Sequence, residues 1–326
     1  ENGRRDSEHD FGTNPCSEII LRPYQFCNLT EVVVRAEDTI KDLERKIELA
    51  TILGTIQSTL TDLKYLRKIW KDNTEEERLL GVSLTGIMDN ALLNSASAGY
   101  LSELLSQLKD VAVYTNLGLS KQLGIPQSTA ITCVKPSGTV SQLVDSASGI
   151  HARHSEYYIR TVRGDKKDPL TQFMQSVGVP VEDDIMQPDS TVVFSFPVKS
   201  PSKAVTRNDT GAIEQLNLWL KYQKNWCEHK PSVTITVKED EWLDVGAWVY
   251  ENFDDVAGIS FLPHSDHTYK QAPYQECSKK EYLDLKKRMP NNINWQDLSE
   301  LEKEDSTRGG QELACSADSC EIVDIT

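Results

Sequence analysis

Asn14-Pro15-Cys16-Ser17-Glu18 is the stretch from which the rest of the chain is interpreted, and Cys27 follows its cysteine by eleven residues. Pro15 fixes its own φ and restricts the residue before it to an extended conformation. Residues two apart in an extended chain point the same way, so Asn14, Cys16 and Glu18 are expected to face one reaction centre. Together they would offer an amide, a sulfur that can carry a charge or a radical, and a base.

A structural explanation of the same cysteine competes with the chemical one. A cysteine near the start of a strand is most often a small buried hydrophobe. The chemical interpretation is favoured by Cys27, on the β-prone run 27–34, and by a second close pair of cysteines near the end of the chain.

The composition is typical of a soluble globular protein: 326 residues, enough for one large domain or two ordinary ones, with 26% charged and 38% hydrophobic residues. The net charge of −15, from 35 basic and 50 acidic residues, argues against a general binder of nucleic acid or of anionic membranes. A nucleotide site remains compatible with this charge, because helix N-termini and a few local cations can hold phosphates.

Apolar patterning and cysteine usage predict a cytoplasmic location. No apolar run approaches a membrane span, and the first residues are polar rather than signal-like. Seven cysteines at irregular spacing do not resemble a secreted disulfide framework, and close pairs in a reducing compartment indicate redox or metal groups. None of the six histidines stands at ligand spacing with a cysteine pair, so no metal site is predicted.

Hydrophobic periodicity predicts strands alternating with helices. Strands are expected at 25–34, 129–134, 191–196, 232–237 and 258–262, and 81–86 is expected to be a turn or a short strand. Helices are expected after Thr39, from about Ser95, and at 209–229, 240–252 and 279–288, with Trp242 facing inward in the fourth. This alternation is typical of an α/β fold with largely parallel pairing, either half a closed barrel or one open sheet.

A second informative stretch is Lys135-Pro136-Ser137-Gly138-Thr139-Val140-Ser141, directly after an apolar run. A strand that delivers small hydroxyl residues and a glycine to a turn suits a phosphate, because it offers backbone N–H groups, hydroxyl donors and a nearby lysine. An ordinary polar turn with capping hydroxyls is the alternative. The basic, aromatic segment 151–163 could also line an anionic ligand, but an edge strand with solvated arginines is the preferred interpretation.

The end of the chain differs in character. Residues 298–310 are charged and end in Arg308-Gly309-Gly310, which predicts a flexible hinge. Cys315 and Cys320 follow it. A mobile tail with two thiols suits thiol–disulfide exchange, in which the tail reduces an internal disulfide and is then reduced itself. An accidental pair on a disordered terminus is the alternative.

Taken together, the 14–18 motif, Cys27, the 135–141 stretch and the Cys315/Cys320 pair resemble ribonucleotide reductases, most closely the adenosylcobalamin-dependent class. The resemblance extends over nearly the whole chain but covers only the C-terminal half of a typical catalytic chain. It implies half of a ten-stranded α/β barrel with a central finger loop, in residues 1–290, and a flexible tail in residues 291–326.

The resemblance also implies roles for individual residues. Cys16 matches the cysteine that becomes a thiyl radical and abstracts the ribose 3′-hydrogen, and Glu18 matches the base that takes the 3′-hydroxyl proton. Asn14 matches the amide that binds the ribose hydroxyls, and Cys27 matches one member of the reducing pair. Cys315 and Cys320 match the tail shuttle. The matches to the loop that holds substrate phosphates are Pro136, Ser137, Gly138, Thr139 and Ser141.

The choice of class rests on tyrosines. Resemblance to the iron- or manganese-dependent class would imply an adjacent pair of tyrosines near the C-terminus, through which the radical passes. Here the tyrosines of that region, Tyr269 and Tyr274, are separated. The one adjacent pair, Tyr157-Tyr158, lies at a different place. Adenosylcobalamin is therefore the expected cofactor.

Three partners follow from the resemblance: a ribonucleoside di- or triphosphate substrate, a thioredoxin-like reductant, and a separate chain that supplies the first half of the barrel. The last is expected because the motif lies at residue 14, with only the charged residues 1–11 before it. The family's other reducing cysteine belongs to that missing half. Cys133, Cys227 and Cys277 are the remaining candidates here, and none has matching context.

Two other functions remain open at this point. The chain could be a non-catalytic nucleotide-binding subunit of the same fold. In that case replacing Cys16 by Ser would leave nucleotide binding intact, and there would be no reductase activity to lose. It could instead be a dithiol oxidoreductase that uses Cys16/Cys27 and Cys315/Cys320, in which case no cobalamin would be needed.

Overall fold

The structure is a computed structural model that describes residues 3–264 and 269–302, together with the backbone of 313–316 and 319–322. In chain order the first elements are β1 (Gly12–Thr13), β2 (Ile20–Leu21), β3 (Asn28–Val33), α1 (Ile40–Gln57), α2 (Lys68–Glu77), β4 (Leu80–Thr85), α3 (Leu101–Leu123), β5 (Thr132–Cys133) and α4 (Gly138–Leu143). The next are β6 (Tyr157–Asp165), α5 (Pro169–Ser176), β7 (Val181–Asp183), β8 (Thr191–Lys199), α6 (Ala212–Asn225), β9 (Val233–Val237), α7 (Trp242–Glu251) and β10 (Ile259–Pro263). The last are β11 (Tyr274–Glu276), α8 (Lys279–Arg288), α9 (Leu298–Leu301), β12 (Leu313–Ser316) and β13 (Ser319–Ile322).

The chain divides into two compact units. Unit 1 comprises residues 1–153 and 202–264, and unit 2 comprises 154–201 and 265–326. The sequence did not mark the boundaries at 153–154 and 201–202, because both lie in ordinary loops. The boundary expected at residue 291 stays a prediction.

Unit 1 contains a run of parallel strands. β3, β4 and β5 pair in parallel in that order, with Asn28 opposite Leu80 and Val82 opposite Thr132. β9 and β10 also pair in parallel, and a parallel bridge between Val134 and Pro231 joins the two groups. The strand order is therefore β3-β4-β5-β9-β10, with α1, α3, α6 and α7 in the connections. The predicted alternation of parallel strands and helices is found in this unit.

The two faces of β3 and β4 have different surroundings. On one face, α1 packs so closely that a Cβ on Gly54 would lie 3.5 Å from Leu80 and from Thr30. On the other face, a Cβ on Gly81 would lie 2.4 Å from Leu29 and 3.1 Å from Ile19. Ile19 belongs to the β1–β2 hairpin, so the hairpin lies against the face of the sheet that α1 leaves uncovered.

The helices around this sheet form where their sequence signals predict. Thr39 and Asp42 make a capping box at the start of α1. In α3 the expected apolar stripe is buried, comprising Leu101, Leu104, Leu105, Leu108 and Ala112, although the helix begins at Leu101 rather than near Ser95. Trp242 was expected to face inward and is instead 40% exposed, because it is the first residue of α7 and only Val245 and Trp248 of that helix are buried.

Unit 2 is built on an antiparallel sheet of order β11-β6-β8-β7. β6 has partners on both sides, so the expectation of an edge strand at 151–163 is wrong. A small apolar cluster of Val179, Val192 and Phe194 stabilises this unit. With one parallel and one antiparallel sheet, the α/β class is confirmed, while the largely parallel pairing holds for unit 1 alone.

Within the described ranges, no helix is both long enough and apolar enough to cross a membrane. The predicted hinge at 308–310 lies outside the described residues.

Candidate active site

The Cys16 hairpin, residues 12–21, is a tight turn between β1 and β2. Gly12 pairs with Leu21 and Thr13 with Ile20. The Ser17 N–H donates to the Asn14 carbonyl at 2.9 Å, and Ser17 has a left-handed φ of 65°. The extended conformation expected for 14–18 is therefore wrong, because the proline stands inside a turn instead of on a straight strand.

The Asn14 side chain holds this turn. Its Oδ1 accepts a hydrogen bond from the Ile19 N–H at 3.0 Å, in the manner of a turn-forming asparagine. Its backbone N–H donates to the Ile19 carbonyl at 3.2 Å. These two hydrogen bonds hold Asn14 and Ile19, the two ends of the turn, together, and Cys16 lies between them.

Cys16 and Glu18 differ sharply in exposure. Cys16 is half-buried on the turn, whereas the Glu18 side chain is wholly buried. Glu18 Oε1 accepts a hydrogen bond from Lys135 Nζ at 3.1 Å. Its second oxygen, Oε2, is buried and has no hydrogen-bond partner among the described residues. One carboxylate oxygen is thus held by a cation, and the other has no hydrogen-bond donor among the described residues.

Further charged groups surround this pair. Burial raises the pKa of Glu31, and the charge of Glu18 adds to that effect. Burial acts to lower the pKa of Lys135, but the Glu18 carboxylate outweighs it and the pKa is raised. Burial lowers the pKa of Lys230, whose Nζ lies 3.4 Å from where a Cβ on Gly258 would be. Two carboxylates and two amines therefore share the sheet face that carries the hairpin.

The segment before β9 anchors the hairpin. The Lys230 N–H donates to the Glu18 carbonyl at 3.0 Å. The Ile20 N–H donates to His229 Nδ1 at 3.3 Å, and His229 Nε2 lies 2.9 Å from the Leu80 carbonyl. The tautomer assigned from these contacts carries its proton on Nε2. Burial lowers the pKa of His229 to about 3, so the ring is neutral and ties the hairpin to β4.

Cys27 lies just ahead of β3 and near the carboxylate. Burial raises the pKa of Cys27, the charge of Glu18 raises it further, and Arg5 and Lys135 oppose both effects. The sulfur therefore keeps its proton. Burial likewise raises the pKa of Cys133 and of Cys227, and both interact electrostatically with nearby thiols.

The 135–141 stretch forms a turn that leads into α4. Ser137 adopts a left-handed φ of 57°, and its buried hydroxyl lies beside the Glu31 carboxyl, where hydrogen bonding by Ser137 acts to lower the pKa of Glu31 against the effect of burial. The Ser141 hydroxyl donates to the Gly138 carbonyl at 3.3 Å. Lys135 contacts Glu18, and its expected place beside a phosphate stays a prediction. The stretch thus places hydroxyls at the start of a short helix, and its lysine joins it to the Cys16 hairpin.

A buried ion pair supports the chain that follows this loop. Arg153 Nε and Nη2 donate to the two oxygens of Asp89, both at 2.8 Å, and both side chains are only 3% exposed. Arg153 Nη1 also donates to Asp145 at 2.9 Å, and the Ala147 N–H donates to Asp89. The expectation of solvated arginines is therefore wrong for Arg153. Nothing in the local sequence signals that its partner lies 64 residues away.

Cys315 and Cys320 face each other in register. β12 and β13 pair antiparallel, with these two residues at opposed positions. Their side chains lie outside the described residues. Their role stays a prediction.

A cavity of about 660 Å³ in unit 1 lies elsewhere, between the chain after β4 and α6. Polar side chains line much of it, among them Asn94, Ser95, Asp209 and Lys221. None of the predicted site residues contributes to it. In the described part of the chain, no group of three or more metal-ligating side chains is found.

Comparison with solved structures shows that this fold is similar to that of a ribonucleotide reductase. The chain matches a crystal structure of a B12-dependent, class II ribonucleotide reductase with a TM-score of 0.76 and 25% identity, over 90% of this chain and 44% of that one.

Curated relatives then point to the adenosylcobalamin-dependent class. The chain is 28% identical over 98% of its length to the adenosylcobalamin-dependent ribonucleoside-triphosphate reductase of Euglena gracilis. It is 29% identical over 96% of its length to a probable enzyme of the same name from Dictyostelium discoideum, and 28% identical over 91% to that of Lactobacillus leichmannii. The resemblance predicted from the motifs is thereby confirmed: the chain is homologous to part of these proteins.

The match is partial on the side of the relatives. The chain spans 43% of the Euglena protein, 40% of the Dictyostelium protein and 44% of the Lactobacillus protein. No family model matches the chain.

Proposed function

We propose that this chain forms part of an adenosylcobalamin-dependent ribonucleotide reductase, which makes 2′-deoxyribonucleotides for DNA synthesis. One observation carries the proposal: a half-buried thiol, Cys16, stands two residues from a wholly buried carboxylate, Glu18, on a hairpin laid over parallel strands. The names of the relatives favour ribonucleoside triphosphates as the substrates.

The proposed roles follow the positions of the side chains. Cys16, as a thiyl radical, takes the 3′-hydrogen atom of the ribose and later returns one. Glu18 Oε2, buried and without a hydrogen-bond partner among the described residues, accepts the 3′-hydroxyl proton. Asn14, already fixed by its bond to Ile19, presents its amide to the ribose hydroxyls.

Cys27 supplies reducing power and a proton. Removal of the 2′-hydroxyl as water consumes two thiol hydrogens and leaves a disulfide, so Cys27 requires a second thiol. That thiol is expected from the part of the reductase that this chain does not span. A thiol that keeps its proton suits the task, and burial raises the pKa of Cys27 in the required direction.

The loop of residues 136–141 is proposed to hold the substrate phosphates. Ser137 places a hydroxyl in the turn, and backbone N–H groups begin α4 directly after it. Phosphate oxygens would accept hydrogen bonds from both. Pro136, Gly138, Thr139 and Ser141 complete the proposed loop.

The residues present fit the thiol side of a cobalamin-dependent reaction. The chemistry that adenosylcobalamin supplies when bound is the removal of one hydrogen atom from a thiol. Cys16 meets that need because it is only half-buried on its turn, while Glu18 and Ile19, which follow it, are buried. On this chain, the turn of residues 14–17 would face the cofactor.

The complete enzyme is proposed to include more protein than this chain. The five parallel strands β3, β4, β5, β9 and β10 would form half of a ten-stranded barrel, with the Cys16 hairpin as its finger loop. A further reductase segment would supply the other half. The Cys315/Cys320 pair would carry electrons from a thioredoxin-like protein to the site.

Replacing Cys16 by Ser tests the proposal. The complete reductase is assayed with adenosylcobalamin, ribonucleoside triphosphates and dithiothreitol, and deoxyribonucleotide product is measured by chromatography. We expect Cys16→Ser to lower product formation by more than about 10³-fold with nucleotide binding unchanged, because serine cannot form the sulfur radical.

Cys277→Ser is the matched control, since Cys277 is a half-buried thiol of unit 2 outside the proposed machinery. It should retain wild-type activity. A wild-type enzyme that binds nucleotide but forms no product would instead identify a non-catalytic subunit. Dithiol exchange without cobalamin would identify a dithiol oxidoreductase.

A further inference from the structure

The Lys135–Glu18 ion pair joins two parts of the site that the motifs treat separately. Lys135 is the residue directly before the loop of residues 136–141, and Glu18 belongs to the Cys16 hairpin. Their side chains meet at 3.1 Å, with Glu18 fully buried and Lys135 28% exposed. An ionised carboxylate buried without a cation would be strongly disfavoured. Lys135 is therefore the cation that contacts the buried Glu18 carboxylate.

The backbone of Lys135 is held rigidly. Its N–H donates to the Ser83 hydroxyl at 2.8 Å, which fixes it to β4. A Cβ added to Gly149 would lie 2.2 Å from the Lys135 carbonyl oxygen, so the chain after α4 packs directly against Lys135. A side chain that starts from a fixed backbone holds its partner in a defined place.

We propose that Lys135 is a positioning residue that keeps Glu18 ionised and aimed at the substrate. Lys135 directly precedes the loop of residues 136–141. The position of the phosphate-binding loop and the orientation of the base are therefore coupled through this one residue. This inference rests on the proposed function, in which Glu18 is the base.

Other charged and titratable groups act on Glu18 and must be considered in any pH experiment. Those that interact with Glu18 come from the segment before β9, from β3 and the residues before it, and from β5: Lys230, Glu31, Cys27 and Cys133. Cys16 of the hairpin interacts with Lys135. Among the described contacts, Lys135 alone of these donates a hydrogen bond to the Glu18 carboxylate.

The first test is a double-mutant cycle on stability, which needs no activity. Lys135→Met, Glu18→Gln and the double variant are made in the full chain, and thermal unfolding is followed at pH 7. Lys135→Met should lower Tm clearly, since it strands a buried charge, and adding Glu18→Gln should restore much of the loss. Additive effects on Tm would overturn the ion-pair role.

The second test is the pH profile of the complete reductase. Lys135→Met should lower kcat by about tenfold or more with a smaller change in KM, and should move the acidic limb of the profile to higher pH. A carboxylate that loses its cation takes up a proton more readily. Lys135→Arg should recover part of the activity and return the acidic limb toward the wild-type position.

Lys46→Met is the matched control, because Lys46 is 35% exposed and pairs with the mostly buried Asp38 at 2.6 Å away from the hairpin. It should lose stability without moving the profile. An active wild type whose Lys135→Met variant keeps the wild-type kcat and profile overturns this inference alone. A wild type that reduces no ribonucleotide overturns the proposed function itself, whatever the stability cycle shows.

Discussion

At the scale of residues, the site brings a buried carboxylate, a cation and a protonated thiol together. Glu18 is wholly buried and has the Lys135 ammonium at 3.1 Å. Cys27 lies near the same carboxylate, whose charge joins burial in raising the pKa of the thiol, so the sulfur keeps its proton. The groups proposed as base and as proton donor therefore lie at one site.

His229 gives the hairpin a stability that depends on pH. Burial lowers the pKa of His229 to about 3, against 6.5 for the ordinary side chain. Between these values the unfolded chain binds a proton that the native protein does not, so the native protein loses stability as the pH falls from 6.5 toward 3. Lowering the pH from 7 to 5 should cost about 2 kcal/mol through this residue alone.

The variant His229→Gln should lack this contribution. It is expected to be less stable than wild type at pH 7, since glutamine cannot reproduce both ring contacts, and to lose less stability on acidification. Urea unfolding at pH 7 and pH 5 measures both effects. Parallel losses in the two proteins would show that the ring does not remain neutral in the native protein.

At the scale of elements, local signals predicted what local forces decide. The capping box at Thr39, the buried stripe of α3 and the bounds of α8 all follow from residues within a few positions of each other. The run 81–86 was predicted as a turn or a short strand because a glycine stands at each end of it, and β4 forms over most of it. The physical reason for Gly81 is non-local: a side chain there would collide with Leu29 and Ile19 from two other elements.

The same distinction separates the residues of the site. Cys16, Glu18 and Cys27 could be named from spacing and resemblance. The bond between Lys135 and Glu18, the His229 bridge and the Asp89–Arg153 pair could not, because each joins residues more than 60 positions apart. The direction of side chains in 14–18 was mispredicted because a turn at the proline replaced the assumed strand.

Gly149 offers a test of how the loop of residues 136–141 is held. Its φ is +55°, and an added Cβ would lie 2.2 Å from the Lys135 carbonyl and 3.3 Å from that of Pro136. Gly149→Ala should therefore lose more than the roughly 1–2 kcal/mol of left-handed strain alone, and should weaken binding of ribonucleoside triphosphates.

Gly124→Ala is the control, since Gly124 has a φ of +67° with nothing within 4 Å of the added atom. It should show the backbone strain only, with nucleotide binding unchanged. Denaturant unfolding and equilibrium nucleotide binding report the two effects. Equal losses in both variants would mean that contact with Lys135 does not position the loop.

At the scale of the whole molecule, unit 1 presents a parallel sheet whose outer strands are β3 and β10 in the described part of the chain. An outer strand offers unpaired N–H and C=O groups to another strand. β10 also exposes apolar side chains, with Leu262 42% exposed and Phe261 36%. Sheets that are parallel throughout are normally covered on both faces, so these edges are suited to continuation by further strands.

We expect the strands that continue this sheet to come from the rest of the reductase, either on a longer chain or on a second polypeptide. Native mass spectrometry of the protein from its natural source should then give a mass well above the 36.7 kDa of this chain. Leu262→Asp should reduce the association, because a charge on an outer strand opposes pairing with a further strand. Leu243→Asp, at an 88% exposed position on α7, should leave the association unchanged. A species of 36.7 kDa that reduces ribonucleotides at the full rate would show that unit 1 needs no further strands.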